Sequence, residues 1–158
     1  MNTDLLKELL RQENELQLHY FNNQTAWELG NLIKAAADQN AAPIAIEIYA
    51  FEHVLFSYFM PGTNKDNHEW IRRKRQSVMR FSHSSYYQGQ YSAFKNRDFE
   101  AQAHIDPKEY CAHGGAFPLR IKNSGLIGAL TVSGLAQEID HQMAIDALTI
   151  IVKGQEGN

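Results

Sequence analysis

The chain has 158 residues, 44% of them hydrophobic and 21% charged, a globular composition that excludes disordered and collagen-like classes. The formal net charge of −3 hides an uneven distribution: Lys65 to Arg97 holds eight basic and two acidic residues, and the remainder seven basic and sixteen acidic. Cys111 is the only cysteine, so no internal disulfide forms and a reducing, cytoplasmic setting is expected.

The opening MNTDLLKELLRQENEL is polar and acidic, without the basic-then-apolar order of a secretory leader. No apolar run approaches the ~18 residues of a membrane span. Leu5, Leu6, Leu9 and Leu10 recur at helical spacing and predict a first short amphipathic helix. Thr25-x-x-Glu28 reads as a capping box opening a second helix to about Asn40. Gly30 inside that helix costs ~1 kcal/mol against Ala, which points to close packing. Pro43 to Phe51 and Val54 to Phe59 are rich in β-branched and aromatic residues and predict two strands turned at Glu52-His53.

A long helix is expected from about Asn67 to Ser84, then a weaker helical piece to about Lys95. After the loop carrying Pro107 and Gly114-Gly115, Phe117 to Lys122 and Leu126 to Ser133 form a second hairpin turned at Asn123-Ser124-Gly125. A last helix runs from about Gln137 to Val152. With no repeat, linker or low-complexity tract, residues 1–158 read as one domain, its core about 15–152. Paired strands separated by helices argue an α+β fold with an antiparallel sheet.

Two charged residues fall on apolar helix faces. At ~100° per residue, Lys74 lies in the middle of the arc formed by Trp70, Ile71, Val78 and Phe81. Arg72, Arg75 and Arg80 point elsewhere, to a solvated or subunit-facing surface. Asp140 sits near the centre of the arc of Met143, Ala144, Ala147, Leu148 and Ile151, with His141 at its edge. A core-facing Lys is rare unless its ammonium is paired or reaches past the core to water. Asp in a first helical turn also complements the helix dipole.

The screens for chemistry return little. There is no C-x-x-C, H-E-x-x-H, G-x-S-x-G or nucleotide-binding glycine fingerprint, so no metal site is assigned. Cys111 and His113 lack the context of a catalytic triad. The basic run is short and the pI of about 6.1 does not suit a nucleic-acid binder.

Several segments taken in order nevertheless carry a resemblance. They are Trp27-x-Leu-Gly30, Pro61-Gly62-Thr63, Asp66-Asn-His-Glu-Trp-Ile-Arg-Arg-Lys74, His113-Gly-Gly-Ala-Phe-Pro118 and Ser133-Gly-Leu135…Asp140-His141. Together, over about residues 15–152, the chain resembles the haem-degrading-domain family that includes the HbpS and GlcG proteins. It is most similar to the branch with the Asp-Asn-x-x-Trp-Ile-x-Arg-Lys and Ser-Gly-Leu…Asp-His signatures. The resemblance implies a profilin-like fold, a five-stranded antiparallel sheet with helices on both faces. The fifth strand would then fall at Leu16–Phe21 or near Glu109–His113.

The resemblance also implies a homo-oligomer larger than a dimer and a pocket bordered by the Gly-Gly-x-x-Pro turn and the Ser-Gly-x…Asp segment. Its occupant would be a small anionic ligand, with haem as a second ligand class. In that setting Lys74 and Arg73 would meet the anion and Gly114 and Gly115 would offer backbone donors. His113, Asp140 and His141 would complete the polar rim. A purely structural Lys74–Asp140 pair is the alternative for those two residues. A ligand-binding protein is the leading expectation; a haem-degrading or other enzyme, and an adaptor working through its oligomer surface, are the alternatives. Neither nucleic acid nor a membrane is an expected partner.

Overall fold

In the computed structural model, which describes residues 3–157, two helices, α1 (Thr3–Glu15) and α2 (Asn23–Asn40), precede a hairpin of β1 (Ala45–Ala50) and β2 (His53–Phe59). Two more helices, α3 (Lys65–Phe81) and α4 (Ser85–Phe94), and a short 3-10 turn at Phe99–Ala101 follow. The second hairpin, β3 (Ala116–Ile121) and β4 (Gly125–Ser133), leads into α5 (Gln137–Glu156). The sheet is antiparallel throughout, in the order β2-β1-β4-β3.

Alternation along the strands gives the sheet two unlike faces. Ile46, Ile48, Leu130, Val132, Phe117 and Leu119 pack against α2 and α5 in the main core, each such side chain contributing roughly 1.5–3 kcal/mol on full burial. The opposite face, covered by α3, is small and polar. Glu47 stands opposite Thr131, Ala45 opposite Ser133, and Ala116 opposite Thr131, with Val78 packed on Ala116 and Ala129. This polar layer between sheet and helix is what the inward Lys74 enters. Gly30 is indeed a close-packing glycine: a Cβ there would overlap the ring of Phe56, which Trp27 meets edge-on at 5.8 Å.

Four differences from expectation have physical reasons. The sheet has four strands, not five. Leu18 makes one parallel bridge to Ile121, but the amides of His19 and Tyr20 donate to Gln155 Oε1 (2.8 and 3.4 Å) instead of extending a ladder. The box opening α2 lies one turn earlier: Asn22 is the N-cap and Thr25 its N3 partner. The α3 helix stops at Phe81 because Ser82 turns left-handed (φ 61°), and Ser84 caps α4 through the Tyr87 amide. Finally, Arg75 is not a solvated residue. Its Nε donates to the buried Glu47 at 2.7 Å, and its guanidinium lies 4.4 Å from the Tyr49 ring centre.

Candidate functional site

The start of α3 and the turn from β4 into α5 lie side by side. Asn64 caps α3 by accepting from the Asp66 amide at 2.9 Å, while Asn67 Oδ1 accepts from the Asn64 amide at 2.9 Å. These exchanged bonds satisfy donors that every helix start leaves open. Across from them, Gly134 (φ +149°) reverses the chain after β4. Asp140, one turn into α5, holds that reversal: its Oδ2 accepts from the Gly134 amide at 3.2 Å and its Oδ1 from the Leu135 amide at 3.0 Å.

Lys74 joins the two elements. The residue is 3% exposed, and its Nζ donates to Asp140 Oδ2 at 3.2 Å and to the Val132 carbonyl at 3.1 Å. Gly115 makes room for it, since a Cβ at that position would stand 2.8 Å from the Lys74 ammonium at a φ of +140°. Burial pushes the Lys74 pKa below the ordinary lysine range, and the Asp140 charge opposes that shift. Burial raises the Asp140 pKa, against the charge of Lys74 and the two backbone donors. The pair is thus desolvated, with burial working against both charges and each partner's charge opposing the shift of the other.

This pair lines a cleft of about 430 Å³ whose other walls include Asp66, Asn67, Trp70, His113 and Gln137. Trp70 and His113 meet edge-to-face at 5.2 Å. Among the residues singled out from sequence, Lys74, His113 and Asp140 therefore meet at one opening. Gly115 backs the Lys74 ammonium, and the Gly114 amide donates to Gln137 Oε1 at 3.0 Å, so that donor is engaged within the protein. Arg73 lies over Trp70 at 4.4 Å, outside the cleft lining.

His141 faces away from the cleft, toward α1. Its Nε2 is 2.8 Å from Gln12 Oε1, its ring is 5.0 Å from that of Tyr86, and its Nδ1 is buried without a hydrogen-bond partner. Burial lowers its pKa to about 4. Cys111 is buried and its thiol is pushed up by desolvation, the opposite of an activated nucleophile.

Sequence reasoning missed Asn64, Asn67, Asp66 and Gln137 as cleft residues. Asn64-x-x-Asn67 is a capping signal of the same kind as Asn22-x-x-Thr25 and could have been read. Nothing local marks Gln137.

An α+β sheet with helices on both faces and a cleft at the β4–α5 turn narrows the class of protein. The description "Haem degrading protein HbpS-like" matches residues 21–149, and the chain belongs to that family. A UPF0303 protein of Psychromonas ingrahamii is 62% identical over 94% of this chain and 93% of its own length. The crystal structure of the Ybr137w protein superposes with a TM-score of 0.88 at 35% identity, covering 96% of this chain and 89% of that one. The structure of a PduOC:heme complex shares the fold at a TM-score of 0.69 and 18% identity, covering 82% and 93% of the two chains.

Proposed function

We propose that the protein binds a small polar acid in the cleft beside Lys74, and that the acid also carries a hydrogen-bond donor such as a hydroxyl or ammonium. The observation that carries this reading is a buried ammonium lining an open cleft, with two of its three N–H groups on Asp140 and Val132. A carboxylate or phosphate would take the third, because a point-charge ammonium suits either. The donor requirement follows from the acceptors in the lining: Asp66 and Asp140 both line the cleft, so an ammonium on the ligand offsets their charge and a hydroxyl gives their oxygens a donor, whereas a simple anion offers neither. His113, Asn67 and Gln137 supply orienting polar groups.

Haem, the other ligand class that the family brings, does not fit this cleft. Trp70 and Leu135 are its large apolar surfaces, and apart from Gly134 the rest of its lining is polar or charged. Two carboxylates there would oppose the propionates.

The test is a thermal-shift panel of simple, hydroxy and amino acids and inorganic phosphate, with haem titrated separately. A ligand at 100 times its Kd stabilises by about 2.7 kcal/mol, or roughly 5–10 °C for a domain of this size. The shift should disappear in the neutral double variant Lys74→Met/Asp140→Asn. A panel with no shift, or a shift that the double variant keeps, removes Lys74 from the function. A saturable haem Soret band that His113→Ala abolishes would move the assignment to haem.

A further inference from the structure

The basic segment 65–97 is only partly used by the cleft and the fold. Lys74 pairs with Asp140, Arg72 with Glu69 and Glu109, and Arg75 with Glu47. Among the described residues, Arg80, Lys95 and Arg97 have no carboxylate partner and lie over aromatic rings instead. Arg80 is 5.0 Å from the Phe81 ring centre and 4.8 Å from that of Tyr110. Lys95 and Arg97 are 5.7 and 5.4 Å from that of Tyr91.

The rings themselves form a ladder. His83, Tyr87 and Tyr91 are four residues apart; Tyr87 and Tyr91 share a face of α4 through that spacing, and His83 joins them from the bend before the helix. The first two ring centres are 4.7 Å apart, and the two tyrosines stack at 5.7 Å with 16° between their planes. This ladder borders a groove of about 360 Å³, completed by Phe81 and by Phe99, Gln102 and His104 of the following segment. No Asp or Glu is among its described lining residues.

We infer that this groove is a binding site for a free nucleotide, with its base stacked on Tyr91 and its phosphate held by Arg97 and Lys95. The two cations are exposed and hold the Tyr91 face only by a cation–π contact, which is weak at a wet surface. A base has more face to offer the ring than an ammonium, and the displaced cations then sit within reach of the phosphate that the base carries. Gln88 at the groove presents an amide that suits a base edge, since an amide both donates and accepts; Gln102 has one N–H on the Phe99 carbonyl at 3.1 Å and keeps its oxygen as an acceptor. The acid-free lining distinguishes the groove from the Lys74 cleft, where two carboxylates stand, so the two sites select different ligands.

Isothermal titration of the full chain with AMP, adenosine, inorganic phosphate and a single-stranded oligoadenylate tests the inference. The expected result is saturable AMP binding, with adenosine and phosphate each at least roughly tenfold weaker. Tyr91→Leu and Arg97→Gln should each weaken AMP by roughly tenfold or more, the size of a lost stacking or phosphate contact. Lys74→Met/Asp140→Asn should leave AMP binding unchanged, which separates this result from the fate of the cleft. Arg97 is exposed, so its variant carries the test even where Tyr91→Leu folds poorly. Absence of saturable AMP binding, phosphate binding as tight as AMP, or AMP affinity unmoved by both variants would overturn the inference. Tighter binding of the oligonucleotide than of AMP would overturn the free-nucleotide assignment.

Discussion

Replacing Lys74 with Met removes the ammonium and leaves Asp140, 1% exposed, as an unpaired buried carboxylate. Breaking a buried ion pair from one side costs about 3–5 kcal/mol. Here the Gly134 and Leu135 amides stay on the Asp140 oxygens at 3.2 and 3.0 Å, so the low end, about 3 kcal/mol, is expected. For a chain of this size that is a fall in Tm of roughly 6–12 °C, at 2–4 °C per kcal/mol. Asp140→Asn alone leaves the opposite fault, a buried ammonium with neutral acceptors and no counter-charge. That amine relieves the cost by losing its proton, so the unfolded state binds more protons and the variant regains stability as pH rises toward the ordinary lysine range near ~10.4. The double variant, neutral at both positions and still able to cap the turn through the Asn oxygen, should melt above either single variant. Circular-dichroism melts of the four proteins at pH 7 and pH 9 read all of this. A Lys74→Met protein melting within 2 °C of wild type, or a double variant no better than the worse single, would refute the coupling on which the site rests.

His141 gives a pH prediction with a definite sign. Its folded pKa is lowered from 6.5 to about 4 by burial, so the unfolded state binds more protons between those values. The stability that His141 contributes is complete above pH 6.5 and is lost as pH falls toward 4, to a limit of about 3 kcal/mol at 1.36 kcal/mol per unit. His141→Gln keeps a donor for Gln12 and removes the titration. Urea unfolding at pH 7 and 4.5 should therefore show a steeper acid loss in wild type than in the variant. The raised Asp140 pKa has the opposite slope but is common to both proteins, so it cancels in the difference; equal losses would contradict the burial of a neutral His141. Gly30→Ala would gain ~1 kcal/mol of helix propensity but drives a methyl group into the Phe56 ring, an overpacking that costs about 1–3 kcal/mol. A net lower urea midpoint, partly restored by adding Phe56→Leu, is the expected result; a higher midpoint for Gly30→Ala would show that Phe56 moves freely.

The helical and strand elements were legible because their periodicities are strong, and Lys74 stood out because a charge at the centre of an apolar arc violates a simple rule. The same rule found Asp140, and the pairing of the two was readable as an alternative. What sequence spacing could not convey was the direction taken by a neighbour. His141 is adjacent to Asp140 in the chain, yet about 100° around the helix it turns toward Gln12 instead of the cleft. Gly114 looked like a donor for a ligand, but the amide is already used by Gln137, a partner 23 residues away that no local pattern announces. The fifth strand failed for a related reason: Gln155, near the far end of the chain, takes the His19 and Tyr20 amides. Helical projection alone points Arg75 outward, whereas Glu47, buried on β1, draws it against the sheet. In each case the missing information is a long-range polar partner, which hydrophobic periodicity does not encode.

The central claim is that a ligand's acidic group reaches the Lys74 ammonium. The most direct measurement follows the Lys74 Nζ resonance, assigned by its loss in Lys74→Met, while the tightest acid from the thermal-shift panel is titrated to saturation. The account predicts that this resonance and the amides of Gly134 and Leu135 shift in step with the binding isotherm. Saturation of the protein with all three resonances unmoved would contradict it.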